Sequence, residues 1–130
     1  MRHPILLLAL LLLAGAAARA QDPAITDPDK YKVILENDQT RVLDYQDHPG
    51  AKTVQHRHPE SVLYALSTFD RRLTFPDGTT KTLHLMPGDV FFLPAQLHIG
   101  ENIGITDTHV LLVEFKTALP NAAPPGPAKP

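Results

Sequence analysis

The chain has 130 residues, no cysteine, and 12 Lys and Arg against 14 Asp and Glu. Neither a disulfide nor a thiolate metal site can form, so the fold must rest on core burial or on a metal held by His and carboxylates. Once Arg2 and Arg19 of an N-terminal leader are set aside, ten basic groups face fourteen acidic ones. A net of about −4 argues against nucleic acid or an anionic membrane surface as partner.

The leader is the first element. Met1-Arg2-His3-Pro4 is positively charged, residues 5–18 are almost wholly Leu and Ala, and Ala18-Arg19-Ala20 forms an A-x-A site before Gln21. This is the pattern of a secretory signal peptide over residues 1–20. The apolar run is shorter than the ~20 residues of a spanning helix, and there is no cysteine to carry a lipid. The expected product has no membrane attachment after cleavage and resides in a periplasm or outside the cell. Residues 21–116 are enough for one domain, able to bury about 60 to 70% of its unfolded surface. Short runs of Val, Ile, Leu, Phe, Tyr and Thr between turn residues predict an all-β sandwich or barrel. Strands are expected over 32–36, 41–46, 53–58, 62–67, 72–75, 80–85, 90–93, 98–102 and 109–115. Phe75-Pro76-Asp77-Gly78-Thr79 and Met86-Pro87-Gly88-Asp89 read as tight turns, with glycine at the positive-φ position. No stretch of the body sustains a helical period. The end of the chain, residues 117–130, holds five prolines and is expected to be a disordered or polyproline tail.

Within the third expected strand, Val54-Gln55-His56-Arg57-His58-Pro59 sets two histidines one residue apart. Strand alternation gives Val54, His56 and His58 one face and Gln55 and Arg57 the other. Two rises place the histidine Cα atoms about 6.7 Å apart, a span from which two imidazoles can converge on one ion at about 2.0 to 2.1 Å. An inward H-x-H pair hydrogen-bonded to backbone would have the same spacing.

The wider pattern separates these readings. Five residues separate Gly50 from His56-x-His58 and five separate Gly88 from Pro94, with His98 following and Asn102 four positions after it. This resembles the two motifs of the cupin superfamily. More narrowly, "DPDKYKVILEND", "RVL", "HRHPESV", "FPDG" and "GEN" look like a mostly uncharacterised group of small exported bacterial cupins. The resemblance implies a double-stranded β-helix, a jelly-roll barrel, with a metal at its mouth bound by His56, His58 and His98. The sequence departs from the pattern too. The Glu usual after the second His would fall at Val62 or Leu63, so the fourth protein ligand is missing unless Ser61 or Glu60 takes its place. Gln96 stands where Gly is usual.

A three-His set leaves open positions for water or an anionic, chelating ligand. Imidazole suits Zn, Cu, Fe and Ni, and affinity alone favours Cu or Zn over Fe or Mn; the residues do not choose among these divalent transition metals. The resemblance implies a dioxygenase-like, lyase or isomerase enzyme acting on a small organic molecule. The alternatives are a non-catalytic binding module for a metal or small ligand, and an interaction protein with a vestigial pocket. Glu60 and Tyr64 are weak catalytic candidates, and Gln96 and Asn102 are candidates to support the ligands. Each also has a plainer role: Tyr64 packing in a core, Asn102 shaping a turn, Glu60 solvated in a loop. His48 is a reserve ligand, His84 should point outward, and His109 should begin a partly buried face with Leu111, Val113 and Phe115. Antiparallel edges and apolar outer strands such as Val110-Leu111-Leu112-Val113 make a homodimer compatible with the chain.

Overall fold

The computed structural model describes residues 21–117, so the leader, and all but the first residue of the tail, lie outside the described residues. Asp22 caps a single helical turn, α1 (Pro23–Thr26): its carboxylate accepts from the Ala24 amide at 2.9 Å, and Pro23 fits the first helical position. Nine strands follow: β1 (Tyr31–Glu36), β2 (Thr40–Asp47), β3 (His56–His58), β4 (Ser61–Ala65), β5 (Phe69–Thr74), β6 (Thr80–Leu85), β7 (Val90–Leu93), β8 (Gln96–Asn102) and β9 (Thr108–Phe115). All their pairings are antiparallel. One sheet runs β1-β2-β9-β4-β7 and the other β3-β8-β5-β6. Because most sequence neighbours, all but β1–β2 and β5–β6, fall in different sheets, the chain winds as a jelly roll, as the cupin resemblance implies.

The turns form where their chemistry says they should. Between β5 and β6, Gly78 takes φ +84° and the Asp77 carboxylate accepts from the Thr79 amide at 2.9 Å. Between β6 and β7, Gly88 takes φ +93° and Asp89 accepts from the Met86 amide at 2.8 Å. A β-carbon is disfavoured at both backbones.

Three expectations shift. The third strand begins at His56, not at residue 53: Val54 turns out to solvent at 58% exposure while its amide is held by Asp27 at 3.1 Å. Val54 therefore does not share the histidine face. β5 begins three residues early because Arg71, polar by sequence, points inward with Phe69 and Leu73. Finally, β9 lies between β2 and β4 rather than at an outer edge, and its inner face is Val110, Leu112 and Glu114, so His109, Leu111, Val113 and Phe115 face outward. Both faces of this strand are apolar, and period-2 alternation gives no sign of which is buried.

The apolar core lies between the sheets, around Leu43, Tyr45, Ala65, Phe69, Leu85, Val110 and Leu112. At one end of this interior the buried side chains turn polar: His56, His58, His98, Asp47, Arg71, Asn102, Thr108 and Glu114. So many buried polar groups must be paired with one another or with something bound.

Candidate metal centre

The pairing of β3 with β8 builds the site. It sets His56 directly opposite His98 and His58 opposite Gln96. His56 and His58 alternate inward past exposed Arg57, and all three imidazoles are buried, at 0%, 2% and 5% exposure for His56, His58 and His98. Ring centroids stand 4.8 Å apart for His56–His58 and His56–His98, and 5.4 Å for His58–His98. One donor nitrogen from each lies within 4.8 Å of the others.

The outward nitrogens settle which atoms face the centre. His56 Nδ1 lies 2.8 Å from the Val54 carbonyl, which can only accept, so Nδ1 carries the proton. His58 Nδ1 lies 2.6 Å from Glu114 Oε1 and likewise donates. With its Nδ1 proton so committed, His56 presents an Nε2 lone pair, and His58 Nε2 stands 3.0 Å from it. Facing lone pairs at that distance repel unless a proton or a cation lies between them. Burial, reinforced by His58, pushes His56 down to about 4. Burial, followed by His58 and His56, pushes His98 down to about 2. Both rings are thus neutral at pH 7, the form that ligates a metal.

Carboxylates brace this arrangement from behind. Glu114 Oε2 accepts from Arg41 Nε at 2.7 Å, and Arg41 reaches Asp22 at 2.6 Å. A carboxylate on the far nitrogen of a ligating histidine fixes its tautomer and raises its basicity. Glu114 is the buried carboxylate that sequence reasoning missed; its signal is an acidic residue in phase with Val110 and Leu112, concealed by the apolar outer face.

Three buried polar atoms have no hydrogen-bond partner among the described residues: His98 Nδ1, Gln96 Nε2 and Ser61 Oγ. All three adjoin the same site, for Gln96 pairs with His58 across the ladder, His98 with His56, and Ser61 with Glu114. Such groups cost about 1–3 kcal/mol each when left unpaired, and their clustering marks a place where something binds. The donor set and these orphaned atoms fit a transition metal with three imidazole ligands.

A cavity of about 1020 Å³ opens from the centre through the barrel. Its wall is mostly apolar, with Leu63, Leu73, Leu83, Leu93 and Leu112, while His58, His98, Gln96, Tyr31, Tyr45 and Arg71 form its polar end. Arg71 is held by Asp47 at 3.0 Å and by the Tyr45 hydroxyl at 2.9 Å, with its guanidinium 4.7 Å from the Tyr45 ring centroid. Gly100 makes room for it, since a β-carbon there would stand 2.2 Å from Arg71 Nη2. Burial opposes ionisation of Asp47, but hydrogen bonds from Tyr45 and Thr108 and the charge of Arg71 outweigh it and hold the carboxyl below its usual range.

The other sequence candidates are dispersed. Gln96 lines the cavity beside His58. Asn102 is buried but turns to Asp47 at 3.1 Å, Thr106 and Thr108, and its Oδ1 accepts from the Gly104 amide at 3.0 Å, the turn-shaping role. Tyr64 is on the outer face of β4 at 43% exposure, neither in the core nor at the cavity. The Glu60 carbonyl accepts from the Phe115 amide at 2.9 Å, and the residue does not line the cavity. His48, the reserve ligand, is exposed and paired with Asp107 at 2.9 Å, away from the three histidines. His84 points outward to Asp70 at 2.7 Å, as expected, and His109 bonds Asp44 at 2.8 Å on the outer face.

No family model matches the sequence, and no curated protein does. Solved structures do. A cupin domain from Bordetella pertussis Tohama I is 26% identical, covering 67% of this chain and 92% of its own, with a TM-score of 0.62. A conserved protein with a double-stranded β-helix domain from Klebsiella pneumoniae is also 26% identical, over 64% of this chain and 68% of its own, with a TM-score of 0.52. The polyketide cyclase RemF from Streptomyces resistomycificus shares the fold at 22% identity and a TM-score of 0.51, over 65% of this chain and 63% of its own. The jelly-roll winding, the His-x-His strand laddered to a third histidine, and these likenesses together make the chain a member of the cupin superfamily.

Proposed function

We propose that this cupin is a metal protein in which His56, His58 and His98 hold one divalent transition metal, Fe, Zn, Cu, Mn or Ni, and that its cavity takes a small, mainly apolar organic molecule whose oxygen faces the metal. The observation that carries this reading is the convergence of three buried imidazoles, with the Nε2 atoms of His56 and His58 set 3.0 Å apart and both their Nδ1 atoms tied away from the centre. Such a metal would supply Lewis acidity, or redox chemistry if it is iron, copper or manganese. The chain's own contributions are separate. Glu114 keeps His58 in its ligating tautomer, the leucine wall excludes water, and Arg71 with Tyr45 places a charged hydrogen-bonding pair at the polar end of the cavity.

Those groups suit turnover of a bound oxyanion by a dioxygenase-like, lyase or isomerase reaction. A non-catalytic cupin that binds a metal or small ligand is the second reading, favoured by the position of Glu60 and Tyr64 outside the cavity lining. The mature chain is proposed to reside in the periplasm or outside the cell, given its expected leader, and to pair with a second copy through the outer face of the five-stranded sheet.

Elemental analysis of the untagged mature protein beside the His56→Ala, His58→Ala double variant tests the metal reading. About one metal per chain in the wild type and none in the variant is expected. A folded wild type that neither holds nor takes up metal overturns it, and turnover of small organic acids with uptake of oxygen separates enzyme from binding module.

A further inference from the structure

We infer that the hydroxyl of Tyr31 is the fourth protein donor to the metal, standing in for the carboxylate that the chain lacks; the inference rests on the three-His reading above. Tyr31, on β1, is 4% exposed, and its hydroxyl lies 3.1 Å from His56 Nε2. Because His56 Nδ1 is committed to the Val54 carbonyl, the hydroxyl meets the very lone pair that faces the centre. Donors sharing one ion at 2.0–2.1 Å stand about 3.0 Å apart at a right angle and about 3.4 Å at a tetrahedral angle. The separations of 3.1 Å from hydroxyl to His56 Nε2 and 3.0 Å between the two Nε2 atoms fit donors that could share one ion.

The other candidates for that corner are occupied elsewhere. No carboxylate joins the three histidines among the described residues. Glu114 is turned to His58 Nδ1 and Arg41, and the Tyr45 hydroxyl is shared between Asp47 and Arg71. The Tyr31 ring is clamped, with centroids 4.4 Å from Tyr45, 5.3 Å from His56 and 5.7 Å from His58, so its hydroxyl is fixed rather than swinging. A ferric ion would be held by the Tyr31 oxygen as phenolate, the phenolic proton passing to water as the ion enters, with no change of oxidation state.

The test loads the metal-free mature protein with ferric iron and records metal content, visible absorption and resonance Raman spectra. The wild type is expected to bind about one iron per chain and to show a phenolate-to-iron charge-transfer band with tyrosinate vibrations. Tyr31→Phe should lose both signals and bind iron at least about tenfold more weakly, whereas Tyr64→Phe keeps them. One iron per chain with no such band, or a band that survives in Tyr31→Phe, overturns the inference while leaving the three-His reading intact. A wild type that binds no iron, copper or zinc overturns both. Should Tyr31→Phe fail to fold, the resonance Raman spectrum of the loaded wild type decides, since Tyr31 is the tyrosine whose hydroxyl meets the histidine nitrogens: tyrosinate vibrations support it and their absence refutes it.

Discussion

Glu114 concentrates two demands on one carboxylate: it accepts from His58 at 2.6 Å through one oxygen and from Arg41 at 2.7 Å through the other. An amide has the same shape but only one accepting oxygen, so Glu114→Gln must turn its NH2 toward either His58 Nδ1–H or the Arg41 guanidinium, donor against donor. We expect the metal dissociation constant of Glu114→Gln to rise roughly 10- to 100-fold, measured by competition with a chromogenic chelator, together with a lower thermal midpoint. Unchanged affinity in a folded variant would show that His58 needs no carboxylate behind it. At this scale the sequence displays ligands better than their supports. His56 and His58 are legible from alternation, and His98 from its motif. Tyr31, Glu114, Arg41 and Arg71 are not, because each joins the site through pairings between residues distant in the chain.

Turn chemistry marks strand boundaries well where glycine and aspartate act locally, and β6 and β7 fall where the sequence puts them. It marks them poorly where a distant group decides, as at β3, whose start depends on Asp27 capturing the Val54 amide. Facing is harder still. On the outer side of the five-stranded sheet, Leu35, Val42, Val113, Val62 and Phe92 form a continuous row across all five strands, each opposite the next. Tyr64 lies beside that row between Leu111 and Val90, at 43% exposure, with Val90 at 57%. None of these residues is charged, so a second copy presenting the same row meets no repulsion, and a two-fold contact is self-complementary. The wild type should sediment as two chains and the Val62→Lys, Tyr64→Lys double variant as one, with metal content unchanged. A wild type that sediments as one chain at its highest soluble concentration removes the sheet face as a dimer contact.

The whole molecule's response to acid follows from enclosing neutral imidazoles. In the metal-free protein His56 is held down to about 4 and His98 to about 2, mainly by burial, while in the unfolded chain both titrate near 6.5. Folded-state values below the unfolded value mean that the unfolded chain binds more protons in acid. The stability these neutral rings allow is therefore present above about pH 6.5 and is lost as pH falls, at up to about 1.4 kcal/mol per pH unit for each ring. The loss from His56 should level off below about pH 4, and that from His98 continue toward about pH 2. Asp22 and Asp47 are held below 3.8 in the fold. For Asp22, burial opposes ionisation, but the hydrogen bonds from Arg41 and the Ala24 amide prevail. Both carboxylates stabilise above 3.8 and give way only in stronger acid, so they leave the window between about pH 6.5 and 4 to the histidines. Urea unfolding of the metal-free protein across that window should show a steady fall in stability, roughly halved in slope by His98→Gln. A flat profile between pH 6.5 and 4 would mean that the centre takes up protons without unfolding, with a cation's place filled by a shared proton between His56 and His58.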